Sequence, residues 1–204
     1  MFLEPNANLP AIAKQFSCTI FFGDPDIMLP SFVAYPRTLV FEKDAKKAGI
    51  TIDLAQELVR LNTALPASTP DRPNFLVVKN AELLNENASN ALLKTFEESR
   101  QHFVLLARPN VTLLPTIISR SAIFYLPTSR QPSPESIRLA QTKNIPELAN
   151  ALDKKPDLAL EVLNLIAEDL VANGGQSLKI DQLNSIARAV TSGNSIKLAF
   201  LSYL

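Results

Sequence analysis

Residues 74–126 read NFLVVKNAELLNENASNALLKTFEESRQHFVLLARPNVTLLPTIISRSAIFYL. Three compact apolar runs, 75–78, 103–107 and 122–126, punctuate this stretch. Each is rich in β-branched, leucine or aromatic residues and none alternates with polar ones. That is the pattern of strands covered on both faces, as in a parallel sheet. Between the first two runs, residues 86–98 place Ala88, Ala91, Leu92, Thr95 and Phe96 along one stripe of a helix. Asn85 is its expected N-cap, with Glu86 in the first turn beside the positive end of the helix dipole. A short helix is predicted over 115–120, with Pro115 in its first turn.

Upstream, the runs 19–22 and 38–41 have the same strand character, and 52–62 carries Leu54, Leu58 and Leu61 at helical spacing. Strands alternating with helices predict a doubly wound α/β fold with a parallel five-stranded sheet. The Pro-rich polar tract 64–73, ALPASTPDRP, is a loop. After the second such tract, PTSRQPSP at 127–134, strand signals stop. Helical segments follow at 145–152, 158–172, 180–191 and 195–204, broken by Gly174-Gly175 and Ser192-Gly193. The expected organisation is an α/β domain over 1–128, a Pro/Ser-rich linker over 129–134 and a small all-helical domain over 135–204.

The chain has 204 residues, with 20 Lys and Arg against 20 Asp and Glu, so no bulk charge argues for nucleic-acid or membrane binding. Cys18 is the one cysteine and His102 the one histidine, too few for a disulfide or a Cys/His zinc site. Cys18 lies in an apolar run and is expected to be a buried thiol; His102 is expected at the surface or at a helix cap. The first residues, MFLEPNANLP, lack the basic and apolar regions of a signal peptide, and no apolar stretch reaches the length of a membrane span. A cytoplasmic protein with no membrane partner is expected.

Two phrases inside 74–126 are specific in combination. NASNALLKTFEES at 87–99 and LLPTIISRS at 113–121 are joined by a strand. They resemble the AAA+ domain of bacterial DNA polymerase III clamp-loader subunits, which have NALLKTLEEP and LLPTILSRC in this order and at nearly this spacing. The resemblance is in particular to the delta-prime type, with gamma/tau a close relative. The resemblance implies an AAA+-like sheet followed by a helical collar.

Departures from that pattern decide what the chain is expected to do. An active member needs G-x-x-x-x-G-K-[ST] after its first strand, glycine amides and lysine holding phosphate and the hydroxyl holding Mg²⁺. Here that place reads Phe22-Gly23-Asp24-Pro25-Asp26-Ile27-Met28, with one glycine, no lysine and two carboxylates. The strand that should end in metal-binding acids ends in Lys79-Asn80, and Lys79 reads as a solvated strand-end lysine. The family's four-cysteine zinc module is absent, and the helical lid is expected to be lost or reduced. No ATP, Mg²⁺ or Zn²⁺ is expected on this chain, and no intrinsic ATPase.

Arg120 carries the functional expectation. By local pattern it is a cation at the C-terminal end of a short helix, where it is favourable. The resemblance implies instead that Ser119-Arg120 supplies an arginine finger to ATP on a neighbouring subunit. Lys94, Glu97 and Glu98 on the open side of their helix, and Phe200 on the last helix, are candidate subunit contacts; solvated surface and domain core are the other readings. The implied partners are gamma/tau-like ATPase subunits and a delta-like subunit, with DNA touched only indirectly or weakly. The alternative is an inert AAA+-derived interaction module outside the clamp loader.

Overall fold

The computed structural model describes residues 1–4, 6–47, 49–109, 111–126, 132–142, 145–155, 158–172, 177–192 and 195–201. Half of the expected linker, the breaks at Gly174-Gly175 and Gly193, and the end of the last expected helix lie outside these residues.

Strands β1 (Cys18–Phe22), β2 (Thr38–Phe41), β3 (Phe75–Lys79), β4 (His102–Ala107) and β5 (Ala122–Tyr125) form one sheet in the order β2-β3-β4-β1-β5. The β2–β3, β3–β4 and β4–β1 pairings are parallel. Helices α1 (Leu9–Ala13), α2 (Pro25–Val33), α3 (Ile52–Ala64), α4 (Glu86–Glu98) and α5 (Pro115–Ile118) accompany them, with a 3-10 turn at Ala81–Leu83. Phe21 meets Phe32 of α2 at 5.9 Å between ring centres, whereas Phe103 meets Phe96 of α4 at 5.2 Å. Parallel register pairs Phe21 with Leu106 and Cys18 with Phe103. With side chains alternating along each strand, Phe21 and Phe103 therefore point to opposite faces. Helices cover both sides, so the fold is the doubly wound α/β architecture expected.

β1, β3 and β4 are buried almost throughout, because each lies between two other strands and under helices on both faces. β2 corrects the expectation of full cover: as an edge strand it leaves Leu39 37% and Val40 39% exposed. α4 keeps its predicted bounds and its Asn85 cap, whose side chain accepts from Ala88 N at 2.8 Å. Its buried stripe is Ala88, Ser89, Leu92 and Phe96, while Ala91 is exposed.

α2 was not anticipated. Asp24 caps it and Pro25 opens it, a sequence signature of a helix start; Pro30 sits inside and removes one donor without ending it. α1 and α6 were likewise unforeseen. α6 (Pro134–Ala140) begins within the expected linker, its cap Ser133 accepting from Ser136 N at 3.0 Å.

By contacts the chain forms two compact units. One takes in Asn6–Arg108 and Leu113–Phe124; the other takes in Met1–Pro5, Pro109–Thr112 and Tyr125–Leu204. The second contains α6, α7 (Ile145–Lys154), α8 (Ala159–Ala172), α9 (Ser177–Thr191) and α10 (Ile196–Leu201). Leu139, Leu152, Leu163, Ile186 and Phe200 lie in its core. Leu3 N donates to Tyr125 O at 2.8 Å within this unit, and the Tyr125 hydroxyl lies 3.3 Å from that of buried Thr191.

Candidate functional site

In open α/β sheets ligands bind outside the carboxyl ends of the strands, at the crevice where neighbouring strands send the chain to opposite faces. Here that crevice lies between β1 and β4, where Gly23 N donates to Ala107 O at 2.9 Å. A helix N-terminus at such a crevice holds phosphate through free backbone amides. α2 has none to give in its first turn. Pro25 lacks an N–H; Asp26 N donates to Asp24 Oδ1 at 3.0 Å; Ile27 N and Met28 N donate to Asp24 O at 3.1 and 3.0 Å.

Lys79, at the end of β3, corrects another expectation. It is not a solvated lysine: its side chain is 19% exposed, with Nζ 2.6 Å from Asp26 Oδ1 and 3.7 Å from Glu42 Oε2. Carboxylates from α2 and from the residue after β2 draw it in. The hydrogen bond to Asp26 raises the Lys79 ammonium above its ordinary pKa and lowers that of the Asp26 carboxyl. Arg108, just past β4, has Nε 3.8 Å from Glu82 Oε1. Glu82 Oε2 is buried without a hydrogen-bond partner among the described residues. The edge thus carries Asp24, Asp26, Glu42 and Glu82 against Lys79 and Arg108, a balance that repels a polyphosphate. Relative to a phosphate-binding loop with its lysine and a metal-binding strand with its acids, charge has changed places: the carboxylate is in the loop and the lysine on the strand.

Arg120 lies at the other edge. Ser121, just before β5, donates to Cys18 Sγ at the start of β1, 3.2 Å away. Arg120 therefore stands at the amino ends of these strands, away from the Asp26–Lys79 pair. Its Nε is 2.7 Å from Glu97 Oε1 at the end of α4, and one terminal nitrogen donates to Thr116 O at 3.3 Å. Ser119 Oγ also donates to Thr116 O, at 3.0 Å. The structure brings Ser119, Arg120 and Glu97 together, with Arg120 exposed and its guanidinium closing the end of α5.

Lys94 and Glu98 form an exposed pair one turn apart, 3.9 Å between charged atoms. Phe200 is 5% exposed and packs inside its own helical unit, so α10 presents Leu198, 69% exposed, in its place. Cys18 is buried, and burial pushes its thiol up to about 12. His102 is half-buried at the start of β4, its Nδ1 3.0 Å from Phe16 O, rather than at a helix cap. Among the described residues no group of His, Cys, Asp and Glu is placed to hold a metal ion, and no helix is long and apolar enough to cross a membrane. The Asp26–Lys79 and Glu97–Arg120 pairs were not anticipated from the sequence. The Asp24-Pro25 helix start could have signalled the first; nothing local signals the second, which joins residues on different elements.

A sheet wound on both faces, with a charged crevice and no free phosphate-binding amides in the first turn after β1, defines the class as a doubly wound α/β domain. More particularly, residues 33–130 match the sequence model of the family described as DNA polymerase III, delta subunit. That span is just under half of the chain and includes β2 to β5, Lys79 and Arg120. No curated protein matches the chain. Among solved structures it is similar to a DNA polymerase III gamma subunit-related protein from Thermotoga maritima. The identity is 20% and the TM-score 0.43, over 95% of this chain and 69% of that one.

Proposed function

We propose that this chain is a delta-prime-like subunit of a DNA polymerase III clamp loader that does not hydrolyse ATP itself and offers Arg120 to ATP on a neighbouring ATPase subunit. The observation that carries the reading is the filled crevice: Lys79 pairs with Asp26 where an active member places phosphate lysine and metal-binding acids in the reverse arrangement. The family match over residues 33–130 supports the replication setting. Arg120, at the opposite edge of the sheet, is out of reach of the chain's own crevice, so its natural target is a phosphate on another subunit. To serve there it must leave Glu97, and a γ-phosphate is the stronger acceptor for a guanidinium. The expected partners are a gamma/tau-like ATPase and a delta-like subunit, in the cytoplasm.

The test is reconstitution with the gamma/tau-like and delta-like proteins of the same genome. Co-elution is expected, with Arg120→Ala leaving assembly intact. At the site facing this subunit that substitution should lower ATP turnover by ~10³-fold or more. Wild-type turnover at that site in the Arg120→Ala assembly sinks the finger. Failure of the wild-type chain to co-elute at any salt or nucleotide condition favours an inert interaction module.

A further inference from the structure

We propose that Lys14, Arg37 and Arg72, grouped around Tyr35 at the amino ends of β2 and β3, form a binding site for phosphate groups of a nucleic-acid strand. These residues, with Pro36, Asp71 and Pro73, line a cavity of about 300 Å³. The inference is independent of the proposed place in the clamp loader and concerns neither the crevice after β1 nor Arg120.

The three cations are held close without carboxylate partners. Among the described residues none of them forms a salt bridge, and Asp71 is the one acid in the lining. Such a concentration of like charge is relieved by an anion. Two guanidiniums suit phosphate because each presents a planar fork of donors to its oxygens.

The backbone beneath is fixed. Arg37 O accepts from Phe75 N at 3.1 Å, at the point where β2 and β3 begin. Arg72 closes a tight turn with Thr69, donating to Thr69 O at 3.1 Å and to its Oγ1 at 3.2 Å. The tract that carries Arg72 is tied down from behind. Buried Asn74 Nδ2 donates to Pro66 O at 2.7 Å and to Gln101 Oε1 at 2.6 Å, and Gln101 Nε2 donates to Pro66 O at 3.1 Å. A Pro-rich polar loop held this firmly presents its arginine in a set position, which lowers the ordering cost of binding. Tyr35 stands edge-on to Phe75, with ring centres 5.3 Å apart, and Lys14 Nζ lies 5.3 Å from the centre of the Tyr35 ring. With the lysine over that ring, the site contacts backbone phosphate and reads no bases.

The test uses the full chain and anisotropy of a fluorescein-labelled oligothymidylate at low salt, with inorganic pyrophosphate as a separate titrant. Salt-dependent binding is expected. Arg37→Ala/Arg72→Ala should weaken it by about tenfold or more and flatten its salt slope by roughly 1.4, the share of two contacts on a single strand. Lys46→Ala, outside the pocket, should bind as wild type, with circular dichroism confirming that each variant folds. Pyrophosphate binding that the double variant loses, without strand binding, keeps the phosphate site and assigns its ligand to free phosphates. A double variant that binds the strand like wild type, or a wild-type chain that binds neither probe, overturns the proposal.

Discussion

Lys79 shows how one side chain can alter the chemistry of an entire crevice. Lys79→Met removes the cation facing Asp26 and Glu42 and should lower the melting temperature. The sign of its pH dependence follows from the two shifts. Asp26 has a folded pKa below its unfolded one, so its share of the stabilisation is present above the ordinary carboxylate value, ~3.9, and is lost as pH falls through the depressed value. Lys79 has a raised folded pKa, so its share is present below the ordinary lysine value, ~10.4, and is lost as pH rises through the raised one. The melting-temperature gap between wild type and Lys79→Met should therefore stay level around neutrality and narrow in acid and in strong alkali. A gap that widens on acidification contradicts the pairing. Cys18 gives a second residue-level test. With its thiol pushed up to about 12 by burial, it should resist a thiol-specific reagent in the native protein near neutral pH and react once denaturant exposes it.

Secondary-structure elements divide by how locally their instructions are written. The bounds of α4 were legible to the residue because its cap, its acidic first turn and its apolar stripe lie in fourteen consecutive positions. α2 was not, since Pro30 inside it is the residue that ordinarily breaks a helix, and it outweighs the Asp24-Pro25 start in so short a segment. Exposure along β2 was hidden too, because apolar runs of centre and edge strands look alike until the strand order is known. The candidate site followed the same rule. Arg120 could be singled out from a contiguous motif, while its partner Glu97 and the Asp26–Lys79 pair depend on tertiary placement. Asn85→Ala should cost ~1 kcal/mol through the lost cap of α4. Phe96→Ala, which empties the contact with Phe103, should cost ~3–5 kcal/mol. Urea unfolding measures both, and equal costs would mean that packing of α4 on the sheet contributes less than the burial of Phe96 implies.

Over the whole molecule, zero net charge conceals local separation: an acid-rich crevice after β1 and a cation-rich cavity before β2 lie at opposite ends of the strands. Composition alone excluded bulk attraction to polyanions, and it could not see either cluster. In the Arg37→Ala/Arg72→Ala variant, which lacks both arginines of the cation-rich cavity, millimolar Mg-ATP should leave the melting temperature unchanged, since only ligands that bind the native state raise it and the crevice is closed to nucleotides. A concentration-dependent rise in that variant would reopen the crevice as a nucleotide site.

The edge strand β2 has a consequence for how the protein behaves in concentrated solution. Among the described residues it pairs only with β3, and it shows Leu39 and Val40 to solvent. A strand with an open side and apolar side chains is a template on which another extended chain can add. Self-association should therefore begin at this strand, with Leu39→Lys slowing light-scattering growth while preserving the melting temperature, because a charge placed there keeps a second strand from docking.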